Sequence, residues 1–119
     1  MPECVFIGNY TSNLIGKTIT YGSRLRKDFK KYGIENLFFV KIEESGFRSI
    51  RASPKMSPEE KGVLVKASKG KFMMPYCSKK DFVEYASLGR NKVIIVGLGP
   101  CFEIWNREKL DEFLEPADF

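Results

Sequence analysis

The residues whose types and spacing could do chemistry are lysines beside glycines: Lys17 follows Gly16, and Lys69 and Lys71 flank Gly70. Glycine lets a backbone amide approach a phosphate closely, and lysine supplies a mobile point charge. The pattern suits contact with a phosphate backbone; the competing reading is a turn glycine with solvated lysines. A second basic group comprises Arg24, Arg26, Lys27, Lys30 and Lys31, with Lys79 and Lys80 as a poorer echo. On a helix, Lys27 and Lys31 share a face and Arg24 precedes Lys27 by one turn. That arrangement is either a phosphate-facing stripe or, more simply, the solvated side of an amphipathic helix.

Other chemistry is poorly supplied. The chain has no histidine, so the commonest general base, the Ser–His and Cys–His couples and the usual transition-metal ligand are missing. Gly16-Lys17-Thr18 resembles the end of a P-loop, but the first glycine that motif requires is Thr11. Gly97-Leu98-Gly99-Pro100 has Phe102 at the third glycine position of a dinucleotide fingerprint and reads as a hairpin turn. Glu43-Glu44 and Glu59-Glu60 are adjacent pairs in predicted turns, hence solvated charges rather than an acid–base couple. Cys4, Cys77 and Cys101 are odd in number, widely spaced and without a C-x-x-C motif, which predicts reduced, buried small hydrophobes. No catalytic residue, cofactor or metal is expected, and the chain does not read as an enzyme.

Charge is unevenly distributed. Residues 1–102 hold 18 Lys/Arg against 9 Asp/Glu, net +9, whereas residues 103–119 hold 2 against 6, net −4. A basic body with an acidic tail points to a polyanionic partner, because clustered cations gain affinity by releasing counterions from phosphates. The apolar run from Cys4 is too short for a secretion signal, and the longest run, Val93 to Pro100, is far short of a membrane span. A cytoplasmic protein without membrane contact is the expectation.

The elements that must position these residues come in two copies. Lys27-Asp28-Phe29-Lys30-Lys31-Tyr32 and Lys80-Asp81-Phe82-Val83-Glu84-Tyr85 share K-D-F-x-x-Y. Each is preceded by Gly-Lys (Gly16-Lys17, Gly70-Lys71) and followed by an apolar run, Leu37–Val40 or Val93–Val96. A glycine-containing turn and a second strand follow, Phe47–Arg51 or Phe102–Trp105. The runs, rich in β-branched and aromatic residues, predict strands buried on both faces or nearly so. Phe29 with Tyr32, and Phe82 with Tyr85 and Ala86, mark one face of a short helix in each copy, with Ser23 and Ser78 as expected N-caps. Between the copies, Ser57-Pro58-Glu59-Glu60 predicts one helical turn ended by Gly62. A final helix is expected after the cap Asn106, with Leu110, Phe113 and Leu114 as its apolar face and Trp105 stapled to Leu110.

The fold expected is therefore mixed β with short helices: two pseudo-symmetric βαβ-type repeats in one domain spanning 1–119. Repeat one covers about 4–52, the linker 53–62 and repeat two 63–115. Each copy alone is marginal as a core, so the two should share one around a pseudo-twofold axis. Similar loops then fall on one face, which suits a duplex or an oligomeric ring.

These residues resemble the MraZ family, the tandem version of the SpoVT/AbrB swapped-hairpin barrel. Phe6-Ile7-Gly8-Asn9-Tyr10 resembles its F-L-G-x-Y opening, and Ile19-Thr20 through Arg24-Leu25-Arg26 its I-S-L-P-x-x-F-R stretch, with Gly22 at the usual proline. Glu84-Tyr85-Ala86-Ser87-Leu88 resembles E-Y-A-x-L, and Val93–Gly97 through Phe102–Trp105 resembles V-V-L-V-G…I-E-I-W. The D-x-K-G-R motif of each half is degenerate: Ala67-Ser68-Lys69-Gly70-Lys71 in the second copy, and Leu14-Ile15-Gly16-Lys17-Thr18, one residue shorter, in the first. The resemblance implies a DNA-binding transcriptional regulator of the cell division and cell wall gene cluster, associated with the nucleoid and assembled as a homo-oligomeric ring. Its double-stranded DNA contacts would be Lys17, Arg24, Arg26, Lys69 and Lys71. With lysine at position 71 in place of arginine, the fork that reads guanine is lost, and backbone contact is expected to dominate. The alternative is a degenerate member that keeps the assembly as an interaction or structural module and no longer binds DNA.

Overall fold

Alternation of side chains across strands builds this chain. In a computed structural model describing residues 3–89 and 92–115, β1 (Phe6–Ile15) turns Tyr10, Ser12 and Leu14 inward. Next, β2 (Thr18–Tyr21) buries Ile19 and Tyr21. The helix α1 (Ser23–Tyr32) leads to β3 (Asn36–Glu44) and β4 (Phe47–Ser53). The order then recurs: β5 (Gly62–Ser68), β6 (Lys71–Met73), α2 (Tyr76–Tyr85), β7 (Val93–Gly99) and β8 (Phe102–Asn106), with α3 (Arg107–Leu114) last. All strand pairs are antiparallel, and the sheet closes as a barrel in the order β1-β2-β6-β5-β3-β4-β8-β7.

The mostly-β barrel with short helices agrees with expectation, but the unit does not. Each half is strand–strand–helix–strand–strand, because a hairpin precedes each helix where the sequence suggested only a Gly-Lys loop. Partners come from both halves: β1 pairs with β7, β2 with β6, β3 with β5 and β4 with β8. The interior is aromatic. Phe72 of β6 lies with its ring centroid 4.7 Å from Tyr21, 5.2 Å from Phe39, 6.1 Å from Phe102 and 6.2 Å from Phe29. The helices plug the barrel with Phe29 and Phe82, both buried.

Helix ends differ in part from expectation. Neither Ser23 nor Ser78 is a cap: α1 starts after Gly22, α2 after Pro75, and neither residue makes a side-chain cap bond. Gly22 packs so tightly that a Cβ there would lie 2.0 Å from Thr11 Oγ1, while the fixed φ of Pro75 starts α2 two residues before Ser78. Asn106 does cap α3, accepting from Lys109 N at 3.1 Å. On α3, Leu110 is buried but Leu114 is exposed, and Trp105 stacks on Phe113 with centroids 5.2 Å apart. Ser57-Pro58-Glu59-Glu60 forms a tight turn rather than a helical one, with Glu60 N donating to Ser57 O at 3.1 Å and Ser57 N to Glu60 Oε1 at 3.2 Å, and Gly62 opens β5 instead of ending a helix. Glu60 also pairs with Arg51 and so is not a freely solvated charge. Glu43 and Glu44 end β3 rather than forming a turn, and Glu43 accepts from Arg48 at 2.8 Å. The cysteines are free, but Cys77 is exposed and Cys4 and Cys101 are half-buried, because none lies on an inward strand position or on the buried face of a helix. Residues 116–119 of the acidic tail and residues 90–91 of repeat two lie outside the described residues.

One internal lock ties α1 to β1. Tyr10 Oη donates to Asp28 Oδ2 at 2.7 Å and accepts from Ile7 N at 3.0 Å. Burial first, then the Asp28 bond, hold the Tyr10 hydroxyl above its ordinary value of 10.0. The native state thus favours neutral tyrosine, so its contribution is intact below pH 10 and is lost as pH rises through the folded value. Tyr10→Phe is expected to cost about 1 kcal/mol at neutral pH and to flatten the alkaline limb of the stability profile, read by urea melts between neutral and strongly alkaline pH.

Candidate nucleic-acid interface

Half of the barrel, the contiguous run β1-β2-β6-β5, contains no Asp or Glu in any of its strands or in the hairpin turns joining β1 to β2 and β5 to β6. It carries Lys17, Lys66, Lys69 and Lys71. The ion pairs of the described residues lie elsewhere: Lys41–Asp81 at 2.6 Å, Arg48–Glu43 at 2.8 Å, Arg51–Glu60, Lys92–Glu108 and Lys109–Glu112 at 3.9 Å. A row of like charges without compensating carboxylates keeps its positive potential for a ligand.

At the centre of this face β2 pairs with β6, Thr20 opposite Lys71. Inward residues Ile19, Tyr21 and Phe72 anchor the two strands in the core, so alternation turns Thr18, Thr20, Lys71 and Met73 outward. The hairpin turns cap this seam. Gly16-Lys17 joins Ile15 to Thr18, and Lys69-Gly70 joins Ser68 to Lys71. In the first, Gly16 alone has positive φ (64°); in the second, both Lys69 (50°) and Gly70 (79°) do, the pattern of a type I′ turn. The turns differ in conformation but match in length and in the strand pairs they join, with no deletion in the first copy: Gly16 stands at the place of Lys69, Lys17 at that of Gly70, and Thr18 at that of Lys71.

The antiparallel ladder sends the turns to opposite ends of the seam. Tyr21 N donates to Gly70 O at 2.9 Å, placing the second turn beside Tyr21, four residues or about 13 Å along the strand from Lys17. Lys69 and Lys71 are exposed and Lys17 is half-buried. Arg26 on α1 is exposed and close enough for its charge to oppose the burial that raises the Tyr21 hydroxyl. Arg24 is taken out of this group. Its guanidinium donates to Asn9 O at 2.9 Å and to Ile7 O, and stacks 4.7 Å from the Tyr10 ring centroid. Lys27, Lys30 and Lys31 lie on the solvated side of α1.

One cation on this face escaped the sequence reading: Lys66 projects outward from β5, opposite Met73. Lys79 of α2, expected only as an echo of the α1 basic group, reaches Thr18, Nζ to Oγ1 at 3.4 Å. The alternation Val63-x-Val65-x-Ala67 was the available signal for Lys66. Lys69 sits in a left-handed conformation that costs a residue with a Cβ roughly 1–2 kcal/mol, and asparagine tolerates it better. Lys69→Asn is therefore expected to raise stability by about 0.5 kcal/mol in a urea melt while weakening binding to DNA, the pattern of a residue kept for contact rather than for the fold.

No protein-family model matches this chain, and no curated protein matches it.

Proposed function

We propose that this protein is a double-stranded DNA-binding transcriptional regulator of the MraZ type, working in the cytoplasm at the nucleoid as a homo-oligomer, with a ring as its assembly. The observation that carries the reading is the acid-free run β1-β2-β6-β5, on which Lys17, Lys66, Lys69 and Lys71 stand outside the ion pairs of the described residues. Lysine ammonium groups on such a face bind phosphates as point charges, and binding draws strength from counterion release summed over several subunits.

The strand order supports two related halves with one axis. Exchanging β1–β4 with β5–β8 leaves the closed order unchanged, and the Gly16-Lys17 and Lys69-Gly70 turns are separated by the same interval as the two K-D-F-x-x-Y segments. Such an axis would run through the β2–β6 seam, giving a duplex two similar lysine-bearing turns. One observation favours the second reading, an oligomeric interaction module without DNA binding: the Arg24 guanidinium is engaged by β1 carbonyls. Fluorescence anisotropy of a labelled duplex against rising salt separates the two. The regulator binds with steep salt dependence; the module shows no binding at any salt. Size-exclusion chromatography with light scattering tests assembly, and a monomer would count against both.

A further inference from the structure

The outer side chains of the seam form two rows of different chemistry. Asn13 lies opposite Thr20, Thr20 opposite Lys71 and Lys71 opposite Ser68, so one row crosses all four strands. It presents an amide, a hydroxyl, an ammonium and a hydroxyl, with Asn13 and Lys71 exposed. Two residues along each strand lies the second row, Ile15 opposite Thr18 and Met73 opposite Lys66. Here Ile15 is 67% and Met73 47% exposed, bare aliphatic surface next to the polar row, with exposed Leu64 further along β5 and exposed Ile7 at the far end of β1. The polar row flanks the Lys69-Gly70 turn and the aliphatic row the Gly16-Lys17 turn. The face therefore has a direction.

Its spacing matches a duplex. Two residues along a strand are about 6.7 Å, two base-pair rises of about 3.4 Å each. The major groove admits a two-stranded ribbon, here the β1–β2 hairpin with Asn13, Thr20, Ile15 and Thr18 outward and Met73 of β6 at its rim, and there an asparagine amide pairs with adenine while aliphatic carbons pack on the thymine methyl. Neither row has an arginine, whose fork matches guanine.

We infer that this face reads an asymmetric, A/T-containing duplex sequence in a single orientation, Asn13 and its row hydrogen-bonding base edges and Ile15 and Met73 packing on thymine methyls. The inference rests on the proposed DNA-binding function of the same face. Lys17, Lys69 and Lys71 supply affinity; Asn13, Ile15 and Met73 supply choice.

Duplexes recovered by the full chain from a randomised pool, then measured by anisotropy, test it. The expected motif is not palindromic. Replacing its thymines by uracil should weaken the wild type about threefold for each contacted methyl and leave the Ile15→Ala/Met73→Ala double variant unmoved. Asn13→Ala should lose about fivefold or more of the preference at one position with an unchanged salt slope. All three side chains point to solvent, so thermal melts should match wild type. Binding with a palindromic motif, with no sequence preference, or with indifference to uracil overturns the inference and leaves the proposed function standing. Absence of binding to any duplex by the folded protein overturns the proposed function, and this inference with it.

Discussion

Replacing Lys17, Lys69 and Lys71 together with alanine is expected to remove most of the affinity for duplex DNA while leaving the thermal melt in place. The three ammonium groups lie at the two turns capping the β2–β6 seam, on strands with no acidic residue. Each phosphate contact by a lysine releases about 0.9 counterion, so the slope of log affinity against log salt should become shallower by about 2.7 per protomer, a loss of roughly 10²-fold at physiological ionic strength. None of the three is in an ion pair among the described residues, and Lys69 and Lys71 are exposed. Surface substitutions of this kind move stability by about 0.5 kcal/mol or less. Retained affinity with an unchanged slope would move the contact elsewhere on the barrel.

The second large effect is on the fold itself. Phe72→Ala is expected to destabilise the protein by about 3–5 kcal/mol. Phe72 is fully buried and touches the rings of Tyr21, Phe29, Phe39 and Phe102, thereby joining β2, α1, β3 and β8. Its strand is only three residues long, so the ring does much of the work of holding β6 and its outward Lys71 against β2. For a chain of this size the cost corresponds to a fall in melting temperature on the order of 15 °C, measured by calorimetry. Phe113, half-buried against Trp105 and Phe47 at the barrel's edge, gives a smaller comparison. Equal losses at both positions would mean that the central cluster does not dominate the core.

Much of the barrel was legible because its second hairpins announce themselves. Leu37–Val40 and Val93–Val96 are unbroken apolar runs, each followed by a glycine-containing turn and a second short segment with spaced apolar residues, and all four strands of β3, β4, β7 and β8 follow from them. The first hairpins were hidden. In β1 an inward position is occupied by Ser12, whose Oγ donates to Thr20 O at 2.7 Å and so is satisfied inside; a buried hydroxyl breaks the pattern that identifies a strand. β6 has a single buried residue, Phe72, too few for any periodicity. With β5 and β6 unseen, Lys66 had no face, and the Gly-Lys match aligned Gly16 with Gly70 rather than with Lys69. Sequence identity favoured the glycine; strand register pairs the turns as two-residue units.

Of the predicted interface, Lys17 stands at one end of the seam and Lys69 and Lys71 at the other, Arg26 is exposed on α1, and Arg24 is drawn away, because two carbonyls of β1 and the Tyr10 ring hold its guanidinium. Nothing in the spacing of Arg24 distinguishes it from Arg26. Only the fold decides which arginine meets a strand and which meets solvent.

The acid-free half of the barrel as the DNA surface is tested most directly by lysine footprinting. The folded protein is acetylated briefly with and without saturating duplex DNA at low salt, and each lysine is quantified by mass spectrometry. Lys17, Lys66, Lys69 and Lys71 should lose reactivity in the complex, while Lys41 on β3 and Lys109 on α3 should keep theirs. Protection of Lys41 and Lys109 with the seam lysines left reactive would contradict it.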